Sequence, residues 1–246
     1  MSALERLVQH YRALHCYHIA TGLPDLLVRA EANELSYLQL AEELVELERQ
    51  GRERNRLALN LRKAGFPAIK RLEEFDFRHQ TTITKRQIAP LLDFRFLDER
   101  ANVVFIGPPG VGKTHLAIAI ALKAVESGYK ALFTTALALA ETLEIAELKG
   151  ELKKKIASLL KFDLLVIDEL GYLPMNRQGI YNLFQLVNGL YEQRSVVLTT
   201  NKDFTAWGEF LRDETVAVPI VDRLIHHSHV FMLGGESYRL KQKLVN

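Results

Sequence analysis

Apolar residues at three- and four-residue steps open the chain. Leu4, Leu7, Val8, Tyr11 and Leu14 fall on one helix face, and Gly22 with Pro24 is read as the end of that helix. A second run, from about Leu35 to Leu61, gives a looser apolar face of Leu35, Leu38, Leu44, Leu47, Leu57 and Leu61, with Gly51 as a weak point. Residues 1–66 are therefore expected to form a small all-helical N-terminal domain. Gly65, Pro67 and a mixed segment up to Asn102 lead into a different pattern. Short apolar runs at Asn102–Ile106, Lys130–Thr135, Asp163–Ile167, Ser195–Thr200 and His229–Leu233 read as strands. They alternate with helical stretches such as Lys113–Glu126 and Gln178–Gln193. For residues 67–246 this alternation predicts an α/β domain with a parallel sheet and helices on both faces.

Composition changes this picture little. With 32 basic and 30 acidic residues the net charge is +2, so any surface for a polyanion must come from the arrangement of charge. The second helical run is segregated: Glu42, Glu43, Glu46 and Glu48 precede Arg49, Arg52, Arg54, Arg56, Arg62 and Lys63. Pairs such as Glu48 with Arg52 support a helix by themselves, while the arginine excess after position 49 suggests a polyanion. A further run holds Lys153, Lys154 and Lys155 and reads either as a solvated helix or as a phosphate-tracking one. With no zinc finger or recognition helix, any nucleic-acid contact is expected to be non-specific.

Cys16 is the single cysteine, which excludes an intramolecular disulfide. There is no N-terminal signal pattern and no run of about 18 apolar residues, so a soluble, cytoplasmic protein without a membrane segment is expected. His10, His15, Cys16 and His18 lie close in sequence but match no recognised zinc spacing, and read as helix-surface residues.

The chemistry sits in the second part. Gly107-Pro108-Pro109-Gly110-Val111-Gly112-Lys113-Thr114 matches G-x-x-x-x-G-K-[ST] between a strand and a helix. The glycines let backbone N–H groups turn toward phosphate oxygens at a helix N-terminus, Lys113 reaches the β- and γ-phosphates, and the Thr114 hydroxyl is a Mg²⁺ ligand. His115 follows as a further nucleotide-binding candidate. Asp163–Glu169 is an apolar run ending in Asp168-Glu169, the way a buried strand delivers carboxylates to the mouth of a sheet. Asp168 is expected to hold Mg²⁺ and Glu169 to polarise the attacking water, which favours ATP hydrolysis over transfer to a small molecule. Asn201 ends the next strand, where an amide can help place that water or simply make a turn. Arg223 lies near the end of a helix, as an arginine finger toward a neighbouring subunit or as a helix C-terminal cation. A small-molecule kinase would need an acceptor pocket and a lid, and would leave Glu169 and Arg223 unexplained.

In this order GPPGVGKT, LLVIDE, LTTN and DRL resemble the AAA+ ATPases, in the clade of replication initiators and helicase loaders. GPPGVGKTHLA, DLLVIDELGYLP, VDRLIHHSHVF and GGESYRLK are similar to the IstB family of insertion-sequence transposition helpers. The resemblance implies a Mg²⁺-dependent ATPase that oligomerises on duplex DNA in the presence of ATP and recruits the transposase encoded by the same element. It implies Lys113 and Thr114 at the nucleotide, Asp168 and Glu169 in hydrolysis, Asn201 as a sensor and Arg223 as the finger. Arg239 stands where a second sensor would, but too few residues follow it for a C-terminal lid. A DnaC-like helicase loader, acting through protein contacts with the same ATP site, is the alternative reading.

Overall fold

The computed structural model describes residues 1–172, 176–211, 214–238 and 241. The chain divides into two compact units, Met1–Leu59 and Asn60–Asn246.

The first unit is helical. Helix α1 (Ala3–Ala13) starts at Ser2, whose hydroxyl accepts from the Glu5 N–H at 3.1 Å while the Glu5 carboxylate accepts from the Ser2 N–H at 2.6 Å. Helix α2 (Tyr17–Ala32) runs through Gly22 and Pro24, so the expected stop there is corrected: the break lies earlier, at Leu14–Cys16, where His15 takes φ 58°. Proline inside a helix costs about 3 kcal/mol. Full burial of Ile19, Leu23 and Leu26 in the same helix returns roughly 1.5–3 kcal/mol each, which outweighs it. Gly22 is a contact glycine: a Cβ there would stand 2.6 Å from Leu47 Cδ2 of helix α3 (Tyr37–Ala64). Gly51, also within α3, faces the His18 ring in the same way.

Glu48 does more than support its own helix. Its Oε2 accepts from the N–H groups of His18 and Ile19 at 2.9 and 3.1 Å, closing the N-terminus of α2 in place of a capping side chain. Arg52 donates to Glu48 Oε1 at 2.7 Å and to the His15 carbonyl at 3.0 Å. Burial works against the charged form of Glu48, but the guanidinium and the two amides hold its carboxyl below the ordinary carboxylate range.

In the second unit a 3-10 turn (Leu72–Glu74), α4 (Lys85–Ile88), a second 3-10 turn (Ala89–Asp93) and α5 (Arg95–Asp98) lead to the sheet. Strands β1 (Asn102–Ile106), β2 (Ala131–Thr135), β3 (Leu164–Leu170), β4 (Ser195–Thr200) and β5 (Ser228–Met232) are all parallel, in the order β2-β3-β4-β1-β5. Helix α6 (Lys113–Glu126) packs on one face. Helices α7 (Ala136–Leu148), α9 (Arg177–Leu190) and α11 (Glu214–Ile225) pack on the other, joined by α8 (Leu152–Leu159) and α10 (Trp207–Leu211). Side chains alternate across the sheet: Val104, Ile106, Leu165, Ile167, Val196 and Leu198 face the α7–α9–α11 layer. β1 is buried along its whole length, as the continuous apolar run predicts for a central parallel strand. It ends at the glycine loop, and β3 and β4 end beside it.

Candidate functional site

The loop between β1 and α6 turns on Gly110 and Gly112, at φ 84° and 99°, conformations that cost a residue with a Cβ about 1–2 kcal/mol. Two segments far away in sequence press on it. The Phe75 ring lies against Gly112, where a Cβ would stand 2.5 Å from Phe75 Cε2. The side-chain amide of Gln80 donates to the carbonyls of Val111 and Gly234, both at 3.1 Å, and the Tyr238 N–H donates to the Gly110 carbonyl at 3.1 Å. His79 donates to the Glu236 carbonyl at 3.1 Å. His115 donates to the Arg71 carbonyl at 2.8 Å and meets the Phe75 ring edge-on at 5.3 Å, so it braces this covering segment.

Lys113 is buried, and its ammonium donates to the loop carbonyls of Gly107 and Pro108, both at 2.7 Å. Thr114 donates to the Asp168 carboxylate at 3.0 and 3.1 Å to its two oxygens. Asp168 is buried at the end of β3, and Thr199 of β4 donates to its Oδ1 at 2.5 Å.

Here the sheet is irregular. Ile167 pairs with Leu198 but Leu170 pairs with Thr200, so Asp168 and Glu169 together oppose Thr199 in a β-bulge. The Glu169 N–H donates to the Thr199 hydroxyl at 2.9 Å and Glu169 adopts φ 62°. The bulge separates the two carboxylates: Asp168 stays inside against Thr114, and Glu169 turns out to the surface. There it borders a cavity of about 540 Å³ with Leu137, Ala140, Glu141, Tyr172 and Asn176. Beyond β4, Asn201 carries a buried Oδ1 that has no hydrogen-bond partner among the described residues. The Gly107 N–H donates to the Thr200 carbonyl at 3.1 Å, which ties this strand end to the loop.

Thus Lys113, Thr114 and Asp168 come together at the loop, while Glu169 and Asn201 stand at the ends of β3 and β4 on the same side of the sheet. A hydroxyl and a carboxylate already in contact are hard oxygen donors suited to Mg²⁺, and an unpartnered buried amide oxygen beside them has capacity for water or ligand. Thr199 and Gln80 carry this geometry but were not singled out from the sequence; the Thr-Thr-Asn at the end of an apolar strand was the available signal for the first.

Arg223 is elsewhere. Its guanidinium donates to the Pro219 carbonyl at 3.1 Å and lies over the rings of Phe184 and Tyr191 at 5.6 and 5.8 Å. Its own carbonyl and that of Leu224 receive the amide of Asn102, the first residue of β1. At about 3.3 Å per residue, a five-residue strand separates this end of the sheet from the phosphate loop by roughly 13 Å, so Arg223 does not serve its own loop. Arg239 lies outside the described residues.

The basic candidates do not form one set. Arg49 bridges Glu46 and Glu53 at 2.6 and 2.9 Å, and Arg52 is committed to Glu48. Arg54, Arg56, Arg62 and Lys63 are exposed without a hydrogen bond or ion pair among the described residues. Lys153 and Lys154 are exposed on α8, with Lys154 3.3 Å from Glu151. Lys154 and Lys155 line, with Lys149 and Ile145, a groove of about 350 Å³ between α7 and α8. No described helix is long and apolar enough to cross a membrane.

The model of the IstB-like ATP binding protein family matches residues 9–246. A protein of Pseudomonas aeruginosa, named for ATP binding in insertion sequence IS21, is 40% identical over 99% of this chain and 91% of its own length. Its counterpart in IS5376 of Geobacillus stearothermophilus is 37% identical over 97% and 95%. Among solved structures, AMPPCP-bound DnaA from Aquifex aeolicus has a TM-score of 0.54 at 21% identity, covering 73% of this chain and 56% of that one. The DnaC helicase loader has 0.52 at 19%, covering 60% and 86%. These likenesses show a fold like that of the AAA+ proteins DnaA and DnaC, and on its sequence the chain belongs to the IstB-like ATP-binding proteins.

Proposed function

We propose that the protein is a Mg²⁺-dependent ATPase that assembles on duplex DNA when it holds ATP and recruits the transposase encoded beside it. The observation that carries the catalytic half is the pair of carboxylates set apart by one bulge, Asp168 on Thr114 and Glu169 facing outward. When bound, Mg²⁺ would supply charge neutralisation between the β- and γ-phosphates, with Thr114 and Asp168 holding it. Lys113 exchanges its two loop carbonyls for phosphate oxygens. Glu169, exposed where β3 bulges, orients and polarises water, and the Oδ1 of Asn201, which has no partner among the described residues, helps fix that water's position. A kinase would shield such a carboxylate from water. Because Arg223 cannot reach its own loop, it completes the site of a second copy, which makes hydrolysis depend on assembly.

Support for the DNA half comes from the named relatives, which are insertion-sequence proteins, and from four cations with no partner among the described residues, Arg54, Arg56, Arg62 and Lys63. The helical residues 1–66 carry these cations and form the DNA-facing arm, with the lysines of α8 as a second contact. If four cations each neutralise one phosphate, log K against log salt falls with a slope of roughly −3.6 per protomer. Binding to a long duplex of arbitrary sequence, measured with ATP, with ADP and with neither across a salt series, tests this. Tight, cooperative binding confined to ATP is expected. Duplex binding that is absent or indifferent to nucleotide refutes it and favours the helicase-loader reading.

A further inference from the structure

At the end of the sheet away from the phosphate loop, three metal-ligating side chains with no role in the reading above come together. Glu192 lies just beyond α9, and His226 and His227 lie between α11 and β5. One ligand atom from each lies within 4.8 Å of those of the other two, and no other such group of three occurs among the described residues. His227 Nε2 stands 3.7 Å from Glu192 Oε1, and the two imidazole rings are 4.1 Å apart at their centroids. A tetrahedral ion bonded at about 2.0–2.2 Å keeps its donors roughly 3.3–3.5 Å apart. The His227–Glu192 pair is therefore close to the required spacing, and the wider contacts must close by about one ångström, within rotamer reach of three exposed side chains.

A second observation concerns orientation. Tyr191 Oη and His226 Nδ1 are hydrogen-bonded at 2.9 Å. A ligating imidazole characteristically has its other nitrogen held by such a partner, which fixes ring and tautomer. With Nδ1–H donating to the phenol oxygen, His226 presents the lone pair of Nε2.

We propose that Glu192, His226 and His227 form a binding site for a divalent transition-metal ion of the zinc class. Two imidazoles and one carboxylate suit such an ion and not Mg²⁺ or Ca²⁺, and three protein ligands leave a fourth position open. Arg100, Arg194 and Arg223 line the adjoining cleft, so the net field is unfavourable to a cation. Their guanidiniums are turned onto the carbonyls of Leu97, Leu160 and Pro219, which limits the penalty but does not remove it. Affinity below that of a four-ligand structural site follows. The ion has a lever on Arg223: it holds His226, His226 holds Tyr191, and the Arg223 guanidinium lies 5.8 Å from the Tyr191 ring.

The proposal stands whether or not the protein hydrolyses ATP. Zn²⁺ is titrated against a chromophoric chelator into the full-length, tag-free chain, with Mg–ADP present to occupy the phosphate loop. One Zn²⁺ per chain is expected. Affinity falls by at least about 10- to 100-fold in Glu192→Gln, since loss of a ligand costs no less than loss of an outer-shell partner, and binding is lost when His226 and His227 are both alanine. Because the three side chains are exposed, both variants keep the parent's thermal midpoint without zinc, and Glu192→Gln alone decides the matter if the double variant does not fold. No saturable binding, or unchanged affinity in either folded variant, overturns the proposal.

Discussion

Thr199 is the residue on which the geometry of both carboxylates depends, and Thr199→Val tests this with little change of shape. The hydroxyl makes two bonds at once: it donates to Asp168 Oδ1 and accepts from the Glu169 N–H. Valine makes neither. A hydrogen bond to a charged group contributes about 1.5–3 kcal/mol, and an amide left without a partner costs about 1–3 kcal/mol. Asp168 keeps its bonds from Thr114, which offsets part of the first loss. A net destabilisation of about 2–4 kcal/mol results. For a unit of this size that lowers Tm by roughly 5–15 °C. With the bulge unpinned, Glu169 is misplaced by an ångström or so, a displacement that costs about a hundredfold in turnover. Thermal unfolding gives the first quantity, and steady-state hydrolysis with a parallel ATP-binding measurement gives the second. Thr199→Ser should restore both. A Thr199→Val protein with the parent's Tm and kcat would show that the bulge is held by the sheet alone.

Four further outcomes are expected. Glu169→Gln should bind ATP like the parent while hydrolysing it about 100-fold or more slowly; Glu169→Gly, which relieves the left-handed backbone at φ 62°, should also raise stability by roughly 0.5–1 kcal/mol in urea unfolding. Gly51→Ala would stabilise an open helix by about 1 kcal/mol, but here the Cβ meets the His18 ring, so chemical unfolding should show a loss of about 1–3 kcal/mol. Glu48 is held below its ordinary pKa in the folded chain, so its stabilisation is complete above about pH 4.3 and disappears as pH falls through the lower folded value. The stability difference between the parent and Glu48→Gln should therefore be present at neutral pH and shrink as pH falls below the ordinary carboxylate range, and a constant difference would contradict the capping role.

The strands and the phosphate loop were legible because each is written locally. Val103–Ile106 is a continuous apolar run, and the glycine spacing of the loop needs no distant partner to be recognised. Bounds shifted by a residue or a few: β3 continues to Leu170, past the expected Ile167, because the bulge restores pairing after the two acids. What could not be read is non-local. Gly22 and Pro24 looked like a stop until Leu47 and the buried face of α2 are in place. Glu48 looked like half of an i,i+4 pair, while two of its bonds go to amides about thirty positions away. Gln80 showed no pattern at all, since its meaning lies in carbonyls 31 and 154 positions distant.

That last contact has a consequence for synthesis. The phosphate loop is complete as a sequence early in translation, yet its carbonyls at Gly110 and Val111 find their partners in Tyr238 and in a Gln80 amide that also needs Gly234. A nascent chain stopped before Gly234 has the motif with only the Phe75 and Gln80 side of its brace. The loop's full set of contacts thus forms only after the ribosome has passed Tyr238, more than a hundred residues beyond the motif itself, and a product that stops short of it holds the loop less firmly.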